Sequence, residues 1–309
     1  MIYNEAMDNS GDIVESAFFR YALKADAELG RVLEIDLTSP AGNSFPPHKL
    51  RALGEAMKGH RDCTVIFSAT PVPYRDPVSH PTPIFSTGYD LHVYKRMAYE
   101  TANGLTADRG GQAREYMPPQ WSGALDTGVK ASIYNLWYLY RIIQQHPRPT
   151  VALVDGHVYG GANGIVFACS HIVATPRTRF IPPVEEILKR FARFVLPLLK
   201  GKVTSKGRNY EELGLPEDSF SRGMTASDAQ ALGIVDAMDE DLRRGLESIK
   251  SLLKSYRAPV LERQKWLSIF KRRLRKDAAA MADEANQHFA EEFASDHVRR
   301  ASRQAARAD

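Results

Sequence analysis

The stretch Val154–Cys169, VDGHVYGGANGIVFAC, sets Gly160, Gly161, Ala162 and Gly164 between two apolar runs, Thr150–Val154 and Ile165–Cys169. An apolar run, a glycine cluster and a second apolar run predict a buried strand, a turn where backbone comes close to something, and a helix. The first N–H groups of a helix have no partner within it, and here they would point beyond the end of the strand. A second turn of the same kind, FSTGYDL (Phe85–Leu91), also follows a short apolar run. Two such turns converging on one point would form an oxyanion hole, a pair of donors aimed at developing negative charge.

Outward from these turns the pattern is that of an α/β protein. GRVLEIDLT (Gly30–Thr38) alternates like a strand, SPAGNSFPPHKLRALGEAM reads as a turn leading into an amphipathic helix, and CTVIFSA (Cys63–Ala69) is a second strand. The proline-rich segment Thr70–Pro83 and the polar Glu100–Gly128 read as loops. VKASIYNLWYLYRIIQQHP follows as a helix, with Tyr134, Trp137, Tyr138 and Ile142 at helical spacing as its expected core stripe. Strands alternating with helices imply right-handed crossovers and a mostly parallel sheet. After HIVATPRTRFIPP the pattern turns helical, so the late segments read as a cap or arm and not as more sheet. The division expected is a core over residues 1–240 and a C-terminal helical arm over 241–309.

With 309 residues, 25% of them charged, and a formal net charge of +4, the chain lacks the strong basic excess of a dedicated nucleic-acid binder. The basic clusters KWLSIFKRRLRKD and HVRRASRQAARAD read as solvated helix faces. Its two cysteines, Cys63 and Cys169, lie in apolar stretches and read as packed, reduced thiols. No apolar run approaches the roughly 20 residues that cross a bilayer, and the first ten residues hold acids but no Arg or Lys. An intracellular protein, cytoplasmic or mitochondrial, is expected. No metal-ligand spacing, Walker-type phosphate loop or Ser/His/Asp order stands out.

FSTGYDL resembles a signature turn of the crotonase (enoyl-CoA hydratase/isomerase) superfamily, and PTVALVDGHVYGGANGIVFACSHIVATPRTRF resembles its second signature. LTSPAGNSFPPHKLRAL is similar to its first turn and helix, and GMTASDAQALGIVDAM to a late segment. The resemblance implies a crotonase-like ββα spiral with a C-terminal helical region, often assembled as trimers or hexamers. It also implies an acyl-CoA substrate, with coenzyme A entering as part of that substrate and no cofactor bound. By position, the oxyanion donors would be the amides of Thr87 and Gly161, with Ser86, Gly88, Tyr89, Gly160 and Ala162 lining the substrate site. Asp90 matches a turn residue of the family; His92, Tyr94, Asn163, His157 and His171 are weaker polar candidates.

The hydratases of this superfamily carry one glutamate three residues after the middle glycine of the second turn and another about twenty residues on. Here those positions hold Gly164 and Val184. Water addition needs a base and an acid, and neither residue can be one. The chain is closer in pattern to the 3-hydroxyisobutyryl-CoA hydrolase branch, which also has glycine at the first position. That branch keeps a glutamate in the following loop; in IPPVEEILKRF it is displaced by one residue onto Glu185. Glu185 is therefore the candidate acid/base of a hydrolase, and the alternative is a first-turn acid favouring a helix N-terminus. A crotonase-fold scaffold without catalysis remains the other reading. Relatives of the hydrolase branch serve as subunits of some mitochondrial ribosomes, which would make an RNA–protein assembly the partner.

Overall fold

The computed structural model describes residues 14–15, 19–38, 43–44, 47–70, 83–88, 129–182 and 223–256, with short pieces between 195 and 202 and between 287 and 295. The first described elements are β1 (Val14–Glu15), β2 (Phe19–Asp26) and β3 (Gly30–Leu37), all paired antiparallel, with β2 and β3 in register from Phe19↔Leu37 to Asp26↔Gly30. The β2–β3 turn is held by the Asp26 carboxylate, which accepts from the amides of Glu28 and Leu29 at 2.8 and 2.9 Å. These bonds keep its pKa below the ordinary carboxylate range. Sequence patterning predicts β3 alone. The signal for β2 is the alternation Phe19, Tyr21, Leu23, whose side chains all pack on the core.

Helix α1 (Pro47–Gly59) leads to β4 (Thr64–Ala69), and β5 (Ile84–Ser86) follows. Next come α2 (Val129–Gln144), β6 (Thr150–Val154), β7 (His157–Tyr159), α3 (Ala162–Ala168), β8 (His171–Ala174) and β9 (Arg179–Ile181). The described chain then gives β10 (Met224–Thr225), α4 (Ala226–Ala231), β11 (Ala237–Met238) and α5 (Leu242–Ser255). A seven-stranded sheet runs β1-β2-β3-β4-β6-β8-β11, and a four-stranded sheet runs β10-β9-β7-β5. From β3 onward every pairing in the larger sheet is parallel. The pairs β4/β5, β6/β7 and β8/β9 each give one strand to the large sheet and the next to the small one. That winding is the ββα spiral expected from the sequence.

The sequence pattern merges β6, β7 and the glycine cluster into one strand and one turn; the structure separates them. Asp155-Gly156 turns the chain between the two sheets, and Gly156 holds φ 91°, a region that side chains other than glycine's rarely occupy. A Cβ there would lie 2.0 Å from the Pro83 carbonyl oxygen, which accepts from the His157 amide at 2.8 Å. This close approach sets β5 beside β7.

Two further expectations are corrected. The late region contributes sheet as well as helix, through β10 on β9 and β11 on β8; strands of two residues are too short to show a period. In α2, the deeply buried stripe is Leu136, Leu139, Tyr140 and Ile143, at 3% exposure or less, with Ile142 at 8% beside it and Tyr138 only half-buried. The side chains of Tyr134 and Trp137 lie outside the described residues. Tyr138 instead packs on α1, where Gly54 leaves room for its ring and Glu55 accepts its hydroxyl.

Helix α5, which opens the C-terminal region, lies on the other face of the large sheet. Its Ile249 and Leu253 join Leu29, Val32, Ile66, Val151 and Val173 in a second apolar cluster, and each such burial contributes roughly 1.5–3 kcal/mol. Cys63 and Cys169 are free and buried. No described helix is long and apolar enough to cross a membrane.

Candidate functional site

Parallel pairing of β5 with β7, Ser86 opposite Val158, brings both strands to their carboxyl ends together. The two glycine turns therefore emerge side by side. Gly88 has φ 78°. A Cβ on it would stand 2.7 Å from the Tyr159 carbonyl oxygen, 3.1 Å from the Gly161 nitrogen and 3.4 Å from the Ala162 nitrogen. Only a residue without a side chain permits that approach. Thr87 precedes it, half-buried, directly after β5.

Internal hydrogen bonds brace the first turn. Ser86 is fully buried; its hydroxyl donates to the Asn43 carbonyl at 2.7 Å and accepts from the Gly88 amide at 3.1 Å. Asn43 is 1% exposed with φ 53°. Its side-chain NH₂ donates to the carbonyls of Thr70 and Phe85 at 2.9 and 3.0 Å, tying together the ends of β4 and β5. Ser86 and Asn43 thus act inside the fold, as supports of the turn.

The second turn is pinned on its other flank. The Gly160 amide donates to the Ile181 carbonyl at 2.9 Å, and buried Asn163 reaches the carbonyls of Gly160 and Ile181 at 3.1 and 2.8 Å. Asn163, a polar candidate from sequence, is thereby a structural brace between α3 and β9. Among the described residues the Gly161 amide has no acceptor. The far end of α3 is held by buried Lys202, which donates to the carbonyls of Cys169 and Ser170 at 2.7 and 2.9 Å, a cation where a helix C-terminus favours one.

Gly164 faces α2. A Cβ on it would lie 2.1 Å from both Cζ and the hydroxyl oxygen of Tyr140. That hydroxyl donates to the Gly161 carbonyl at 2.5 Å, and Tyr140 is 1% exposed. Tyr140 is the residue near the site that sequence reasoning misses, because an aromatic in an apolar helix carries no mark of where its hydroxyl ends. His157 and His171 prove to have partners: the Tyr159 hydroxyl lies 3.2 Å from His157 Nδ1, and an Asp236 carboxylate oxygen lies 3.5 Å from His171 Nδ1. Tyr89, Asp90, His92, Tyr94, Val184 and Glu185 lie outside the described residues. No cluster of metal-ligating side chains occurs among the described residues.

Solved structures with the same course of chain include an enoyl-CoA hydratase from Mycobacterium avium. It is 19% identical with a TM-score of 0.52, over 87% of this chain and 91% of that one. An enoyl-CoA hydratase/carnitine racemase from Magnetospirillum magneticum is 16% identical with a TM-score of 0.52, over 88% and 87%. A methylmalonyl-CoA decarboxylase in complex with 2-nitronate-propionyl-CoA is 15% identical with a TM-score of 0.51, over 89% and 95%. The fold is the crotonase fold. No family model matches the sequence, and no curated protein matches it. In this crotonase fold, Thr87–Gly88 and Gly160–Ala162 are the two backbone segments that meet.

Proposed function

We propose that the chain is an acyl-CoA thioester enzyme, hydrolase-like, in which the amides of Thr87 and Gly161 receive the thioester oxygen. The observation that carries this reading is the meeting of Gly88 with Gly161 and Ala162. Backbone donors held by rigid braces lose nothing to reorganisation when charge develops, and one such donor is worth roughly 3 kcal/mol of transition-state stabilisation. Acyl-CoA compounds are also what the fold neighbours are named for: enoyl-CoA and methylmalonyl-CoA. Gly88, Tyr89, Gly160 and Ala162 would line the bound acyl group, with Ser86 supporting the turn from inside.

The acid/base in this reading is Glu185. In sequence it lies four residues beyond Ile181, whose carbonyl receives Gly160 and Asn163. Four residues of extended chain span at most about 14 Å, which keeps Glu185 within that reach of Ile181 and the second turn it braces. A hydratase reading is the poorer one: the family's carboxylate position is Gly164, and Tyr140 fills the space where its side chain would begin.

Hydrolysis assays across short acyl-CoA thioesters test the proposal, with Glu185→Gln as the informative variant. Turnover that falls about 100-fold in Glu185→Gln, the scale of lost acid/base catalysis, supports it. No turnover of any thioester by the unaltered protein leaves the scaffold reading standing. Size measurement in solution tests the trimer or hexamer that the fold resemblance suggests.

A further inference from the structure

Tyr140 and Gly164 are mutually dependent. The phenol lies within 2.1 Å of where a Cβ on Gly164 would be, so any side chain at that position would displace it. Freed of that obstacle, the hydroxyl reaches across α3 to donate to the Gly161 carbonyl at 2.5 Å. The same carbonyl accepts from the Gly164 amide at 3.1 Å. Tyr140 sits on α2, an element separate from both glycine turns, and it is fully packed, so its hydroxyl cannot swing to solvent.

We propose that Tyr140 is a positioning residue of the paired turns: by hydrogen-bonding the Gly161 carbonyl it fixes the Gly161–Ala162 peptide and strengthens the Ala162 N–H as a further donor next to the Gly161 amide. The physical link is cooperativity. A peptide whose C=O accepts a hydrogen bond becomes polarised, and its N–H becomes a better donor. The Ala162 nitrogen belongs to that peptide and lies 3.4 Å from where a Cβ on Gly88 would stand, on the side where the first turn arrives. The catalytic side of this inference rests on the acyl-thioester reading above; the polarisation of the peptide does not.

The test is ¹H–¹⁵N correlation spectroscopy of the full chain labelled at alanine and glycine, comparing the unaltered protein with Tyr140→Phe. The Phe variant keeps the ring over Gly164 and removes only the hydroxyl. An upfield move of the Ala162 amide proton, with the Gly160 amide bonded to Ile181 unmoved, is the expected result. Gly164→Ala, which drives the phenol away by a different route, should give the same Ala162 shift. An Ala162 resonance unchanged in Tyr140→Phe, or shifts spread evenly along α3, overturns the proposal and leaves Tyr140 a packing residue. In a thioester assay, Tyr140→Phe should lower kcat by about tenfold, a loss of one modest donor contribution, with KM unchanged. An unaltered protein without turnover would refute the acyl-thioester reading, while the Ala162 shift would still decide the role of Tyr140.

Discussion

Gly88 approaches Gly161 so closely that a single added carbon on Gly88 would stand 3.1 Å from the Gly161 nitrogen and 2.7 Å from the Tyr159 carbonyl oxygen. This contact joins two segments separated by the whole of α2, and it depends on a left-handed backbone at Gly88. Gly88→Ala should therefore cost roughly 1–2 kcal/mol for the conformation alone and push the turns apart. Expected is a protein that still folds, with a lower Tm by thermal denaturation and no measurable affinity for short acyl-CoA. Full affinity in folded Gly88→Ala protein would show that the contact does not shape the site.

Asn43 supports the same turn from behind. In Asn43→Ala, the buried Phe85 carbonyl and the part-buried Thr70 carbonyl lose their donor, and alanine must take a φ of 53°. Unpaired buried groups cost about 1–3 kcal/mol each, so a loss of roughly 3 kcal/mol or more is expected in urea unfolding. A change below about 1 kcal/mol would mean that the turn relaxes without its brace.

His60 gives a pH dependence with a definite sign. Burial, followed by the nearby Arg31 guanidinium, lowers its pKa from the ordinary value. The unfolded chain then binds a proton at His60 more readily than the folded one. Its contribution to stability is complete above the unfolded pKa, roughly 6.5, and is lost as the pH falls through the folded value. Thermal melts between pH 7.5 and 5 should show Tm falling with acidification, with a shallower slope in His60→Gln. Equal slopes in the two proteins would remove His60 from the account.

The cysteines supply a probe of packing. Burial pushes the Cys169 thiol up to about 12, and it pushes Cys63 up as well. Thiolate is the reactive form, so neither should be alkylated at pH 8 in the native protein, and both should react in denaturant. Rapid native labelling at one site would show that its thiol is open to solvent.

What could be read from the sequence was governed by length and by chemical uniqueness. Strands β3, β4 and β6 and helices α1 and α2 are long enough for their period to show, and the two glycine turns announce themselves because few residues tolerate such backbone. The split between β6 and β7 was hidden because only Asp155-Gly156 separates them, and the need for Gly156 comes from Pro83, distant in sequence. Met224–Thr225 and Ala237–Met238 are strands only by virtue of their neighbours. At the site, Gly161 was legible as a turn residue. The use of Gly164 was not, because its reason is the Tyr140 ring on another helix. Ser86 and Asn163 have polar side chains beside the turns, but sequence cannot tell a hydroxyl or amide spent on internal carbonyls from one offered to a ligand.

If the two turns hold the oxygen of an acyl-CoA thioester, the infrared stretch of that carbonyl reports it. A short acyl-CoA labelled with ¹³C at the thioester carbon should bind, and its carbonyl band should move to lower frequency than in water, because two preorganised donors polarise the bond more strongly than solvent does. Gly161→Val should abolish the shift. An acyl-CoA bound with its carbonyl band at the solution position, or no binding at all, would show that the turns do not hold that oxygen.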